Sequence, residues 1–131
     1  MKTDELTFLV VDDDSLIREI HGLVLRREYP ECNVTTLSNG KEFADYCGKA
    51  HLYLTDNRMP EMNGFDALCF RREKGDSTPA LLITGTPGDI AGRELPENTY
   101  VLSKPYFPND LTALVGKVLG DHYNLERASQ I

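Results

Sequence analysis

Five polar side chains stand where apolar stretches of this sequence end. Asp12 and Asp13 follow one such stretch, Asp56 and Thr84 end two others, and Lys104 follows a fourth. Because the parallel strands of an open α/β sheet end at the crevice where ligands bind, we expect these side chains to meet at one site. Three acids, a hydroxyl and an ammonium group are suited to holding a metal cation beside an anionic group.

Carboxylates gathered in this way need compensating positive charge. Two of them about 5 Å apart repel each other by about 3 kcal/mol at an effective dielectric constant of about 20. Lys104 supplies one positive charge, and a divalent cation would supply the rest. Mg²⁺ suits the site because it binds through one or two carboxylates, keeps some waters and accepts a phosphate oxygen as a further ligand.

Asp56 lies at the centre of the most informative stretch, residues 52–64. The pattern predicts a buried strand that stops at the acid, a tight loop punctuated by proline and glycine, and then a helix. Phosphoryl transfer depends mainly on positioning and on neutralising charge at the equatorial oxygens. We therefore interpret Asp56 as a nucleophile that takes up a phosphoryl group, aided by Mg²⁺, Thr84 and Lys104.

Each of these residues has a simpler explanation when taken alone. An acid after a strand often caps the next helix, Thr84 suits a strand because it is β-branched, and Lys104 could lie on the surface. Turn chemistry alone accounts for an acid at position 56. Helix capping, however, predicts no hydroxyl and ammonium group at the ends of the other strands, so their coincidence favours a functional site.

Apolar runs of strand length alternate with segments of helical spacing along the chain, five times in all. This order predicts an α/β fold with a single doubly wound five-stranded parallel sheet and helices on both faces. Asp14 is the expected N-cap of the first helix. Of about five helices, we expect the fourth to be short or irregular because residues 85–96 are rich in Gly and Pro. Inside a helix Gly costs about 1 kcal/mol and Pro about 3 kcal/mol.

The chain has 131 residues, 40% of them hydrophobic, which suits one domain with a substantial core. We predict a domain over residues 5–120 and a C-terminal tail or the start of a linker over residues 121–131. The apolar runs are too short to span a membrane, and the N-terminus lacks the layout of a secretory signal. The net charge of −7 argues against nucleic acid binding by this domain. Three widely spaced cysteines indicate reduced thiols, so we expect a cytoplasmic protein.

The motifs of roughly residues 5–120 resemble, as an ordered set, those of the receiver domains of response regulators in two-component signalling. The resemblance is carried by LVVDDD at 9–14, LTD at 54–56, MP at 59–60, NG at 63–64, LIT at 82–84 and KP at 104–105. It implies a flavodoxin-like sheet of order 2-1-3-4-5 and a phosphorylation-controlled switch.

The resemblance also implies a role for each residue of the site. Asp56 would accept a phosphoryl group from the phosphohistidine of a kinase, and Thr84 and Lys104 would contact that group. The Mg²⁺ ligands would be the side chains of Asp12, Asp13 and Asp56 and the backbone carbonyl of Arg58.

Partners follow from the same resemblance. It implies a sensor histidine kinase or a phosphotransfer protein as donor, a downstream effector that the sequence does not identify, and a homodimer as an arrangement common in the family. Such a domain is not a conventional enzyme, because it catalyses only its own phosphorylation and dephosphorylation.

Three features depart from the family pattern. An aromatic switch residue often stands three residues before the lysine, but Val101 occupies that place and Tyr100 comes one residue earlier. Because side chains alternate along a strand, this offset directs the Tyr100 ring to the other face unless a bulge corrects it. Gly85 replaces a common alanine, and residues 85–96 match the usual fourth helix poorly.

Two other functions are compatible with parts of the pattern. A small Mg²⁺-dependent phosphatase with Asp12 as nucleophile is one, because Asp12-x-Asp14 resembles the start of the haloacid dehalogenase motif. Against it, Asp14 suits a helix cap and no downstream acidic pair is present. The other is a flavodoxin-like or non-phosphorylated, receiver-like binding module. Three acids would repel a flavin phosphate, and no residue of the receiver site is missing.

Overall fold

The computed structural model describes residues 6–124, which form one five-stranded parallel sheet with helices on both faces. The strands are β1 (Thr7–Val11), β2 (Asn33–Leu37), β3 (Leu52–Asp56), β4 (Ala80–Thr84) and β5 (Thr99–Ser103). The helices are α1 (Ser15–Glu28), α2 (Gly40–Asp45), α3 (Gly64–Glu73) and α4 (Pro108–Tyr123), with a 3-10 helix at Pro87–Asp89. The strand order is β2-β1-β3-β4-β5, so the predicted fold and order are confirmed.

Of the about five predicted helices, the fourth, expected to be short or irregular, is only a 3-10 turn between β4 and β5. Its sequence explains this, because Gly85, Pro87, Gly88 and Gly92 all lie in the connection and each of them disfavours an α-helix. The chain therefore forms four α-helices within the described range, and the rest of this connection is irregular.

Apolar side chains fill both faces of the sheet. One buried cluster joins β1, β3 and β4 to α1 and α4, and the other joins the same strands to α2 and α3. All five residues of β3 and of β4 are buried, as expected for central strands of a parallel sheet. The fold thus leaves the ends of these strands, rather than their faces, as the place for polar chemistry.

Tyr100 packs with the cluster on the α1 and α4 face. The register of β4 and β5 is continuous and pairs Tyr100 with Leu81, so no bulge turns the ring around. Its hydroxyl group hydrogen-bonds to Nε2 of His122 on α4 at 2.9 Å. The predicted orientation is confirmed: Tyr100 points away from the face on which Thr84 lies.

Side-chain caps fix where three of the helices begin. Asp14 accepts from the backbone N–H of Leu16 at 2.9 Å, as predicted for α1. Asn39 and Asn63 cap α2 and α3 in the same way, at 2.8 Å each. At the other end of the chain, α4 continues to Tyr123, past the predicted domain boundary at residue 120.

Most of the predicted tail, residues 121–131, lies outside the described residues. The division into a domain over residues 5–120 and a tail therefore stays a prediction. Among the helices of residues 6–124, none combines the length and apolarity that crossing a bilayer requires.

Candidate functional site

The carboxyl edge of the sheet brings together all five side chains that the sequence singled out. Asp12 follows β1, Asp56 ends β3, Thr84 ends β4 and Lys104 follows β5. The Lys104 ammonium donates to Oδ1 of Asp56 at 2.7 Å. One carboxylate oxygen from each of Asp12, Asp13 and Asp56 lies within 4.8 Å of the others.

The three acids form a donor set that fits a divalent cation. Hard oxygen ligands at this spacing are what Mg²⁺ uses, and the cluster is only partly buried, which leaves room for waters. Arg58 lies in the loop directly after β3 and lines a pocket that also borders Asp56. The role of its backbone carbonyl as a ligand stays a prediction.

The pKa of Asp12 reflects the crowding of negative charge in the cluster. Burial raises the pKa of Asp12 to about 6, and the negative charges of Asp56 and Asp13 act in the same direction. The N–H of Asp14, which donates to Asp12 Oδ1 at 2.9 Å, and the charge of Lys104 oppose the rise. A cation bound among these acids would favour the ionised form of Asp12, so proton and cation compete for this site.

A pocket of about 210 Å³ opens beside Asp56. Its lining residues are Asp56, Arg58, Thr84, Gly85, Thr86 and Lys104. The Thr84 hydroxyl oxygen accepts from the backbone N–H of Thr86 at 3.0 Å. The Thr86 hydroxyl gives its own proton to Asp89, so in the longer contact of 3.4 Å between the two hydroxyls Thr84 is the donor. An oxygen placed in the pocket would compete with Thr86 for the Thr84 hydroxyl proton.

The loop after β3 is held by a residue that sequence reasoning missed. Asn57 is buried, its Oδ1 accepts from the backbone N–H of Phe65 at 3.0 Å, and its carbonyl oxygen accepts from Gly64. Its own N–H donates to the carbonyl oxygen of Ile83 on β4. Asn57 therefore ties the end of β3 to the start of α3, and an asparagine between a strand and a Gly-containing turn was the available signal.

A second missed group lies at the rim of the pocket. Asp89, in the 3-10 helix, accepts from Nε and Nη2 of Arg58 at 2.6 and 2.9 Å. The hydroxyl of Thr86 donates to the same carboxylate at 2.7 Å. The bonds from Arg58 and Thr86 lower the pKa of Asp89 to about 2, so it carries a full negative charge at neutral pH.

A third missed group is a buried histidine behind Lys104. His21 on α1 hydrogen-bonds through Nε2 to the hydroxyl of Tyr106, and the two rings are stacked with centroids 6.2 Å apart. Burial, and to a smaller extent the positive charge of Lys104, lower the pKa of His21 to about 4. His21 is therefore neutral at pH 7 and adds no second cation next to Lys104.

Comparison with known proteins identifies the family to which this chain is similar. The response regulator receiver domain family matches this chain over residues 8–116. The cell cycle response regulator CtrA of Brucella ovis is 30% identical over 117 residues, which cover 85% of this chain and 49% of that protein. The chain thus spans about half the length of the curated relatives it matches.

Solved structures agree on the fold. The response regulator TrrA from Thermotoga maritima, determined in complex with Mg²⁺ and BeF, superposes with a TM-score of 0.74 at 24% identity, covering 88% of this chain and 100% of that one. The receiver domain of a signal transduction histidine kinase from Syntrophus aciditrophicus gives a TM-score of 0.76 at 23% identity, covering 93% and 96%. With the family match across most of its length, the chain belongs to the response regulator receiver domains.

Proposed function

We propose that this receiver domain is switched by phosphorylation of Asp56. The observation that carries the proposal is the Asp56 carboxylate itself, which bonds to Lys104 at 2.7 Å and borders the open pocket. Its side chain is only 10% exposed. Asp56 ends β3, which pairs with β1 on one side and β4 on the other, so the position of its backbone is fixed. A nucleophile fixed in this way needs little reorganisation when a phosphoryl group arrives.

The proposed donor is the phosphohistidine of a sensor histidine kinase or phosphotransfer protein. A carboxylate oxygen of Asp56 forms a bond to phosphorus, and the bond between phosphorus and the imidazole nitrogen breaks. The electron pair of the broken bond stays on that nitrogen, which takes up a proton. The products are an acyl phosphate on Asp56 and a neutral histidine.

Residues of this chain stabilise the transferred group. The ammonium of Lys104 neutralises part of its charge, and the hydroxyl of Thr84 can donate to one of its oxygens in place of its long contact with Thr86. Asp12, Asp13, Asp56 and the carbonyl of Arg58 would hold Mg²⁺. When bound there, Mg²⁺ supplies the positive charge that the equatorial oxygens require.

The switch itself is a change in the partner-binding surface. Taking a two-state equilibrium from 1:99 to 99:1 requires about 5.5 kcal/mol of differential stabilisation. A bond from Thr84 to the phosphoryl group competes with its present contact to Thr86, which lies at the start of the irregular connection after β4. That connection, rather than Tyr100, is therefore the proposed reporter of phosphorylation to a downstream effector.

An exposed apolar stripe on α1 supports a protein as the phosphodonor. Leu16, Ile20 and Leu23 recur at helical spacing on one face, and Leu16 and Leu23 are 59% and 67% exposed. The helix begins directly after Asp14, so the stripe starts beside the acid cluster. We place this exchange in the cytoplasm, where the free thiols of this chain stay reduced.

The test is intact-mass measurement after incubation with acetyl phosphate and Mg²⁺. We expect the mass of one phosphoryl group to be added, and the gain to be lost in Asp56→Asn and in the presence of a chelator. In a second arm, the purified histidine kinases of the organism that encodes the chain are autophosphorylated and mixed with it. Leu23→Asp should slow transfer from the active kinase and leave labelling by acetyl phosphate unchanged.

The competing phosphatase predicts a different outcome. It would turn over a generic phosphate ester and lose that activity in Asp12→Asn. The geometry disfavours it, because Asp12 is buried with its pKa raised, and Asp14 is engaged as the cap of α1. Turnover of the ester without a covalent phosphate on Asp56 would overturn the proposal, as would labelling that persists in Asp56→Asn.

A further inference from the structure

Arg58, at the edge of the pocket beside Asp56, forms a two-point ion pair with Asp89 of the 3-10 helix. Nε and Nη2 of Arg58 bond to the two carboxylate oxygens of Asp89, at 2.6 and 2.9 Å. Arg58 lines the pocket, together with Asp56 and Lys104. The pair therefore joins the loop after β3 to the 3-10 helix after β4 at the entrance to the reactive carboxylate.

The effect of this pair on charge is local. An incoming anionic phosphodonor meets the acids of the site, with Lys104 as the compensating cation. A free guanidinium at the rim would attract such a donor. Asp89 cancels that charge, because the two groups form a bidentate pair and Asp89 also holds the Thr86 hydroxyl.

We propose that Asp89 is a specificity-determining residue of the receiver: by pairing with Arg58 it removes positive charge from the rim of the pocket and limits capture of small anionic phosphodonors. The proposal rests on the proposed phosphorylation of Asp56. A protein donor gains affinity from its whole interface, whereas a small dianion depends on the charges at the pocket. The pair therefore favours protein donors over free acyl phosphates.

Acetyl phosphate is the probe, since it reacts without a partner protein. A carboxylate oxygen of Asp56 bonds to phosphorus, the bond from phosphorus to the acetate oxygen breaks, and acetate leaves with the electron pair. The measured quantity is the acetyl phosphate concentration at half the limiting rate of phosphorylation, at constant Mg²⁺ and low salt.

The expected result is an order set by the charge at the rim. Asp89→Asn leaves Arg58 unpaired, so the half-saturating concentration should fall by about two- to five-fold. Arg58→Ala leaves Asp89 unpaired, so the concentration should rise by a similar factor. The double variant is neutral at the rim, as the wild type is, and should return close to the wild-type value. All differences should shrink when the ionic strength is raised from about 0.05 to about 0.5 M.

A purely structural role predicts a different order. If the pair only anchored the 3-10 helix, either single substitution would break the same anchor and shift the concentration in the same direction. Asp89→Glu keeps the negative charge beside Arg58, so its half-saturating acetyl phosphate concentration should equal that of wild type. The matched control is Asp66→Asn, which breaks the exposed ion pair of Asp66 with Arg93 and should have no effect.

The outcomes separate this inference from the proposed function. If neither wild type nor Asp89→Asn gains phosphate from acetyl phosphate, and no phosphorylated kinase labels the wild type, phosphorylation of Asp56 and this inference fail together. If wild type is labelled but Asp89→Asn and Arg58→Ala shift the concentration in the same direction, or not at all, the inference alone is overturned. Opposite shifts that are reversed in the double variant and reduced by salt support it.

Discussion

At the scale of single residues, the site depends on which groups stay uncharged as much as on which are charged. His21 lies behind Lys104 and is buried against Tyr106. Burial holds its pKa at about 4, below the ordinary value of 6.5. In the pH range between these values the folded protein keeps His21 neutral while the unfolded chain protonates it, so acidification favours unfolding.

We therefore predict that His21→Gln reduces the loss of stability on acidification. Between pH 6.5 and about pH 5, His21 should lower the free energy of unfolding of the wild type by about 2 kcal/mol, and the variant should lack this contribution. Asp12 acts in the opposite direction, because its folded pKa of about 6 exceeds 3.8 and the folded state gains from its protonation. Urea titrations of wild type and variant at each pH isolate the histidine by difference.

Tyr106→Phe is the control for this measurement. It removes the hydroxyl partner of His21 and should lower stability by about 1 kcal/mol. Burial is the main cause of the low pKa, so the pH slope should stay close to that of wild type. Equal pH slopes in wild type and His21→Gln would contradict the assignment.

The acids, Thr84 and Lys104 could be placed from sequence because each stands at the end of an apolar run, and parallel strands end at one edge. Asp89 and His21 could not be placed in this way. The position of Asp89 depends on the path of an irregular connection, and that of His21 on how α1 packs beside Tyr106. Both positions depend on tertiary packing, which the local sequence pattern does not determine.

At the scale of secondary structure elements, the site requires α3 to begin very close to the end of β3. A Cβ atom placed on Gly64 would lie 2.3 Å from the carbonyl oxygen of Asp56 and 3.0 Å from Oγ1 of Thr55. No side chain fits there without moving the backbone of Asp56. The sequence indicated only that Gly64 belongs to a turn, whereas the structure shows that close packing at the site requires a glycine there.

Gly64→Ala should consequently lower the free energy of unfolding by about 2 kcal/mol or more and slow phosphorylation of Asp56. Gly85→Ala is the matched control in the same site, because its Cβ would lie 3.6 Å from the Lys104 side chain, an ordinary contact. That change should stay within about 0.5 kcal/mol of wild type. Chemical denaturation and intact-mass labelling of both variants test the contrast, which a similar loss in the two would contradict.

The connection between β4 and β5 shows what composition alone can predict about an element. Its glycines and prolines predicted a short or irregular fourth helix, and the structure has only a 3-10 turn there. They could not indicate how the segment is held, which is by exposed contacts such as Arg93 with Asp66 and Arg58 with Asp89. The offset of Tyr100 was readable because strand alternation is strict where the register is continuous.

At the scale of the whole molecule, the acid cluster that would bind a cation also lowers the stability of the folded state. The chain has a net charge of −7, and three of its acids are brought together at one edge of the sheet. Their mutual repulsion destabilises the folded state, whereas the unfolded chain separates them. A cation that binds only the folded state reverses this, because binding adds directly to the free energy of unfolding.

We predict that Mg²⁺ raises the melting temperature of the protein. At about ten times the dissociation constant the gain is about 1.4 kcal/mol, or about 3–6 °C for a domain of this size. Asp13→Asn should melt above wild type without Mg²⁺, because it relieves repulsion, and should lose most of the rise with Mg²⁺. The melting curves of the two proteins, followed by circular dichroism, should therefore exchange order as Mg²⁺ is added.

Glu31→Gln is the matched control for this reversal. It removes one negative charge from the exposed turn between α1 and β2, so its net charge equals that of Asp13→Asn. If the repulsion is local, this variant should keep the full response to Mg²⁺ and melt close to wild type. If it instead behaves like Asp13→Asn, the stability of the fold reflects net charge alone, and the acids at the sheet edge form no site.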